Sequence, residues 1–500
     1  MRQESDALGA MPLPEGALYG IHTLRAADNF PVSGQHLFPE FIRAYAMVKA
    51  ACALANADIG QLDAERADAV VAACREIADG AHADQFPVDP YQGGAGTSTN
   101  MNVNEVVANR ALQLLGRQPG DHAFLSPLGH VNLHQSTNDT YPTALKVAAL
   151  WLLKDLESAV SRLQEAFQDK EAAFAHVVKV GRTECMDAVP LTLGMEFGAF
   201  AEAISRDRWR IFKCRERLKQ VNLGGTAIGT GLGAPRAFNL RAADHLRALT
   251  GLPVSRAENL VDATANADPF VEVSGILSAF AANLLKISSD LRLLASGPAT
   301  GLGEIRLPAR QAGSSIMPGK VNPVIPECVG QVALRVVANH QAVTLVAGLG
   351  QLQINQFLPL LTHSLLESLR LLVNATAIFA DKCVRGITAD EPRCRELVEK
   401  SHALATMLVP ALGYEKVSHL LAEADARGVA LADHLEATGV LSRQAAQALL
   451  APKRMRKLGY EEGDYAELTR ENRGSAPDPA GGEHPPRTPG KGEEQGGGDA

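Results

Sequence analysis

Apolar residues recur three and four positions apart through most of the chain, the spacing of one buried helix face. In residues 143–175 the stripe runs through Leu145, Ala149, Leu152 and Leu156, and in 191–218 through Leu193, Phe197, Phe200 and Ile204. Residues 270–294 and 328–349 are apolar around much of their circumference. They carry Val271, Val273, Ile276, Phe280, Leu284 and Ile287 in one, and Val329, Val332, Leu334, Val337, Val343 and Val346 in the other. Helices of about 22 to 30 residues extend roughly 33–45 Å. A helix that is apolar all round needs cover on every side, inside a bundle or between subunits. No series of period-two runs is long enough to build a sheet. The pattern predicts an all-α bundle that needs partner chains to cover it.

Loops rich in Gly and Pro divide the chain into an N-terminal domain (1–137), a central helical bundle (138–392) and a small C-terminal helical domain (393–465). The last stretch, 466–500, is Gly, Pro and charge, and is predicted to be a disordered tail. A chain of 500 residues exceeds one hydrophobic core. With 46% hydrophobic and 21% charged residues it reads as a soluble globular protein. A net charge of -8 provides no basic field for nucleic acid, and the run Lys453 to Lys457 is short enough to be a solvated helix end. Seven dispersed cysteines with no CxxC pair predict reduced thiols and a cytoplasmic location. The first residues lack an apolar core, so no signal peptide is expected. The greasiest stretch, 273–287, reads as too short to span a bilayer.

Chemistry concentrates in a few polar segments. Gly313-Ser314-Ser315-Ile316-Met317-Pro318-Gly319-Lys320-Val321-Asn322-Pro323 joins two hydroxyls, a cation and an amide in a loop too rich in Gly and Pro for a helix interior. A glycine run precedes hydroxyls and amides in Gly93 to Glu105, suited to wrapping a small anion or starting a helix. Ser136-Thr137-Asn138 adds three short polar groups before a helix expected from about Tyr141. Gly181 to Pro190 and Asn222 to Gly231 are the remaining polar segments. Gly229, Gly231 and Gly233 hint at a dinucleotide loop, but neither a preceding strand nor a βαβ unit accompanies them. His130 and His134 have the spacing of helical zinc ligands without a third ligand, so they read as surface or packing histidines and no metal site is expected.

The 313–323 segment resembles the signature loop of the aspartase/fumarase superfamily, GSSxMPxKxNP, at every defined position. The other polar segments complete the pattern up to about residue 465. Tyr19-Gly20-Ile21-His22-Thr23-Leu24-Arg25-Ala26 and Ala95-Gly96-Thr97-Ser98 resemble the aspartase branch rather than the fumarases, and Gln353 to Pro359 resembles the superfamily's later helix segment. Two departures stand out: Glu184, where relatives carry His or Gln, and Leu133-His134 in place of the commoner Lys-Ser.

The resemblance implies a three-domain fold whose central bundle assembles into a twenty-helix tetramer core, with composite pockets built from three subunits. It implies reversible elimination of ammonia from aspartate to give fumarate through an enediolate (aci-carboxylate) intermediate. It further implies that Ser314 is the general base, acting as an alkoxide on the Cβ proton. Thr97, Ser136, Thr137 and Ser315 would hold the β-carboxylate, Lys320 and Asn322 the α-carboxylate, and Asn138, Thr183 and Glu184 would lie near the amino group. A carboxylate at position 184 suits a substrate ammonium as a charge-assisted acceptor. No cofactor is required on this reading, with divalent-metal activation left open; the partner is a small dicarboxylate, with no nucleic acid and no membrane. Fumarate hydratase, another fumarate-releasing lyase and a non-catalytic structural homologue are the alternatives.

Overall fold

The apolar repeats fold as helices that mostly begin a few residues before the periodic stripe. The computed structural model describes residues 1–465, and the tail expected at 466–500 lies outside them. The described chain forms two compact units. The first comprises Met1–Val177 and Thr192–Arg393, and the second Val178–Leu191 with the residues from Cys394 onward.

The first unit opens with an antiparallel hairpin, β1 (Arg2–Asp6) and β2 (Gly9–Leu13), and four helices: α1 (Ile21–Asn29), α2 (Pro39–Asp58), α3 (Ala64–Ala78) and α4 (Thr97–Leu114). The long helix α5 (Thr137–Ala173) follows. Then come α6 (Leu193–Cys214), α7 (Arg236–Thr250), α8 (Leu260–Ala265), α9 (Asp268–Leu294), α10 (Val324–Gly348) and α11 (Leu358–Lys382). Helices α5, α6, α9, α10 and α11 pack on one another as the bundle. Residues 353–357, expected in a helix, instead form a turn closed by a Gln351–Ile354 bridge. Pro359 sits in the first turn of α11, where its missing N–H costs nothing.

Helix α10 buries Val329, Ala333, Val336 and Val343 against its neighbours. Its other face leaves Leu334 59%, Leu345 67% and Leu349 54% exposed, so one chain covers only half of it. Helix α9 extends well beyond the 273–287 stretch. At 27 residues it is long and apolar enough, by length and composition, to cross a membrane, which corrects the shorter estimate. Just under half of that apolar stretch is buried, against α6, α10 and α11, as in the core helix of a bundle.

The N-terminal and central segments separated at 137/138 on the sequence lie in one compact unit. In the second unit, β3 (Val178–Thr183) pairs with β4 (Met186–Thr192). By sequence order this hairpin falls within the central segment. It groups with the C-terminal residues because Val180 packs with Val398 and Ala403. Short helices between 403 and 455 bury Leu408, Leu431, Leu435 and Leu449 as a separate core.

Candidate active site

The 313–323 loop is a closed neck with an exposed tip. Gly313 N–H donates to the Lys320 carbonyl at 2.8 Å, and the Asn322 amide donates to the Gly313 carbonyl at 2.6 Å. Only glycine fits at 313: a Cβ there would lie 2.5 Å from the Lys320 oxygen and 2.7 Å from Asn322 N. The neck aims two backbone N–H groups at one side chain, for Ser314 Oγ accepts from Met317 at 2.8 Å and Ile316 at 3.2 Å. Donors converging on an oxygen favour its charged form. Ser314 is half-buried, while Ser315 and Lys320 are exposed. Lys320 and Asn322 line a cavity of ≈ 340 Å³ together with Ser296, Arg292 and Arg306, of which Arg306 pairs with Asp390 at 2.6 Å and Arg292 with Glu327 at 3.8 Å. Asn322 already uses one of its two amide N–H groups on the neck.

Thr97, Ser136, Thr137 and Asn138 come together where α4 and α5 begin side by side. Gly96 has φ 94°, and a Cβ on it would sit 2.2 Å from the Tyr141 ring, so glycine is required for the two helix starts to meet. Helix α5 starts at Thr137 rather than at 141, because Ser136 caps it and Asp139 Oδ1 accepts the Ser136 N–H at 3.0 Å. Pro142 has no N–H for the Asn138 carbonyl, and Asn222 Nδ2 takes that place at 3.0 Å. The Asn138 side-chain amide donates to the Ala227 carbonyl at 2.7 Å, which leaves its Oδ1 to accept from a ligand. The Thr97 hydroxyl donates to the Gly94 carbonyl at 2.9 Å and must turn to reach a carboxylate. The glycine-rich loop 222–231 wraps Asp139 instead of a dinucleotide: Gly224 and Thr226 N–H groups reach Asp139 Oδ2 at 3.2 and 2.9 Å. Burial raises the Asp139 carboxyl to about 7 against these donors.

Ser314 and the Ser136–Asn138 turn do not meet within one chain. The turn caps the N-terminal end of α5, a 37-residue helix about 55 Å long. At the other end of α5, Lys170 donates to the Ile387 carbonyl, and Gly386 packs on Pro308. Arg310, four residues before Ser314, donates to the Lys382 carbonyl at the end of α11. The two groups therefore lie at opposite ends of the bundle. Thr183 and Glu184 belong to the second unit and are exposed. Glu184 and Cys185 form the two-residue turn between β3 and β4, with φ 55° and 65°, the backbone of a type I′ hairpin. His130 Nδ1 accepts the Ser126 N–H at 2.8 Å and His134 Nδ1 contacts Asn56 Oδ1 at 2.6 Å, so both histidines are engaged locally. Among the described residues no group of three or more His, Cys, Asp or Glu side chains is disposed to hold a metal ion.

Residues 9–338 match a family model described as Lyase. The aspartate ammonia-lyase of Bacillus subtilis is 45% identical over 458 residues, 92% of this chain and 96% of that protein. The chain belongs to the aspartase/fumarase superfamily. Two solved structures agree with that placement. A fumarate lyase:delta crystallin from Brucella melitensis bound to cobalt is 48% identical, with a TM-score of 0.87 over 91% of this chain and 100% of that one. A class II fumarase from Schistosoma mansoni is 33% identical, with a TM-score of 0.86 over 91% and 98%.

Superfamily motifs located the loop and the polar segments at both helix starts, but two buried groups beneath them went unassigned. Asp139 follows the Ser-Thr-Asn triplet directly, and Ser-x-x-Asp is a helix-start signature that could have been read as such. Lys49 is a lone cation in the apolar run 44–55, a position where burial was legible and its partners were not.

Proposed function

We propose that the protein is an aspartate ammonia-lyase that interconverts L-aspartate with fumarate and ammonia, as a cytoplasmic homotetramer with composite active sites. The observation that carries the chemistry is the cradle of two N–H groups around Ser314 Oγ, which favours the alkoxide a serine base needs. The leaving group follows the relatives: aspartate ammonia-lyases of Bacillus subtilis and Pseudomonas fluorescens are 45% and 46% identical, against 33% for the Schistosoma fumarase.

Ser314 takes the Cβ proton, and the electron pair moves into the β-carboxylate, which becomes a doubly charged aci-carboxylate. Thr97, Ser136, Thr137 and Ser315 donate to its oxygens, each such donor worth about 10²–10³ in rate. Lys320 and the remaining Asn322 N–H hold the α-carboxylate. Asn138 Oδ1, Thr183 and Glu184 accept from the ammonium until collapse of the intermediate expels ammonia and forms the double bond. No step in this scheme calls on a cofactor.

Assembly supports the scheme twice over. The half-covered face of α10 supplies an apolar surface for further copies, and the separation of Ser314 from Ser136 needs a neighbour to close it. A cytoplasmic setting is supported by seven cysteines that form no disulfide. Purified protein is assayed with L-aspartate and with L-malate, following fumarate absorbance. Aspartate turnover is expected, and malate turnover without it rejects the reading. Adding a chelator and then divalent ions tests the cofactor-free scheme.

A further inference from the structure

Lys49 lies on α2 with Tyr45, Ala46, Val48, Ala50 and Ala51, all buried around it. Its ammonium is fully buried and donates to Asn100 Oδ1 at 2.7 Å, Gln135 Oε1 at 2.9 Å and Asn132 Oδ1 at 3.0 Å. An ammonium has three donors and accepts nothing, so all three are used and every amide must turn its oxygen inward. That orientation dictates where the NH₂ groups go. Gln135 Nε2 donates to the Val131 and Leu133 carbonyls at 2.9 and 3.2 Å, holding the loop that leads into Ser136. Asn100 lies one helical turn after Thr97 and receives the Tyr45 hydroxyl at 3.2 Å; Tyr45 also contacts Thr140, whose hydroxyl donates to the Ser136 carbonyl at 2.9 Å.

The cation thus sits beneath the loop that leads into Ser136 and bonds to Asn100, one helical turn after Thr97. Its hydrogen-bond partners are neutral amides rather than a carboxylate; the buried Asp139 carboxyl of the Ser136 cap feels its charge, but burial raises that carboxyl to about 7, so it offsets the ammonium only in part at neutral pH. Burial pushes the Lys49 ammonium down only to about 8, which leaves it charged at neutral pH. A buried charge is costly to keep, and knitting three amides together does not need one.

We propose that Lys49 is a positioning residue for the elimination: it orients the amides that hold the loop carrying the Ser136 and Thr137 donors, and places a fixed positive charge behind the β-carboxylate. The inference rests on the reading above of a β-carboxylate bound at those donors. Because negative charge on that carboxylate grows toward the intermediate, the benefit falls on the chemical step more than on substrate binding.

Asn132→Asp tests this with little change of shape. Asn132 Oδ1 already receives Lys49, Asn100 Nδ2 at 3.2 Å and Asn104 Nδ2 at 3.1 Å, so a carboxylate cancels the charge there, at the loss of the 3.3 Å bond from Asn132 Nδ2 to the Gln135 carbonyl. The thermal midpoint is expected to hold or rise, KM for L-aspartate to stay within about threefold, and kcat to fall at least about tenfold. Lys49→Met is the second variant: kcat falls likewise, with a lower midpoint. A purely structural lysine predicts the opposite split, a moved midpoint with kcat intact, and kcat within about threefold of wild type in either folded variant overturns the proposal. Wild-type turnover of L-aspartate tests the parent reading separately. If the wild type prefers another dicarboxylate, the same ratios are taken with that substrate.

Discussion

Ser314 Oγ accepts the Met317 backbone N–H at 2.8 Å. The contact closes a turn of four residues, so the loop itself, without help from the bundle, poises the oxygen for negative charge. The two donors are exposed and can take water when the hydroxyl is removed. Ser314→Ala is therefore expected to keep its thermal midpoint and to lose at least about a hundredfold in kcat for L-aspartate. Near-normal turnover would remove serine as the base.

Because Ser314 and Thr137 sit at opposite ends of α5, each active site should draw them from different chains. The Ser314→Ala and Thr137→Ala proteins are each expected to be nearly inactive. Unfolding and refolding the two together should yield hybrids with some intact sites, and activity well above either parent. A mixture no more active than the mean of its parents contradicts composite sites.

At Gly96 the left-handed backbone and the Tyr141 ring act together against any side chain. Gly96→Ala places a methyl 2.2 Å from a ring that is 1% exposed and cannot swing out. A loss of about 3 kcal/mol or more in unfolding free energy is expected, combining overpacking with backbone strain. Denaturant unfolding of the folded variant measures it. A loss under about 1 kcal/mol shows that the two helix starts separate easily.

Two buried groups bend stability with pH in opposite senses. Asp139 is raised from 3.8 to about 7, so between those values the folded state holds a proton that the unfolded state has released. Stability falls as pH rises across that window, by at most about 1.4 kcal/mol per pH unit. Lys49 is lowered from 10.5 to about 8, so between those values the unfolded state holds the extra proton and stability rises with pH. Denaturation midpoints across pH 5 to 10 should show the first slope flattened in Asp139→Asn and the second in Lys49→Met. Slopes identical to wild type mean that neither group changes protonation on folding.

Much of the site was legible because its motifs are local. Gly313, Ser314 and Asn322 lie within ten positions, and the neck that joins them is a short-range hydrogen-bond pattern. The start of α5 was read four residues late because apolar periodicity begins inside a helix, whereas the cap that starts it is polar. Residues 178–191 lie in the central segment by sequence order yet group with the C-terminal residues in the fold, and a local pattern does not record which distant residues a segment packs on.

From order and spacing alone came the helical class, and resemblance of the polar loops to known motifs added the superfamily and the residues that could abstract a proton beside a carboxylate, since helical period and loop chemistry are encoded over a few neighbours. Only the folded chain decided that Ser314 and Ser136 stand a helix length apart, that α10 keeps one greasy face uncovered, and that Lys49 lies beneath the Ser136 turn. Those facts depend on which faces of rigid rods meet, and residues far apart in the chain settle that jointly by burying apolar area and satisfying polar groups.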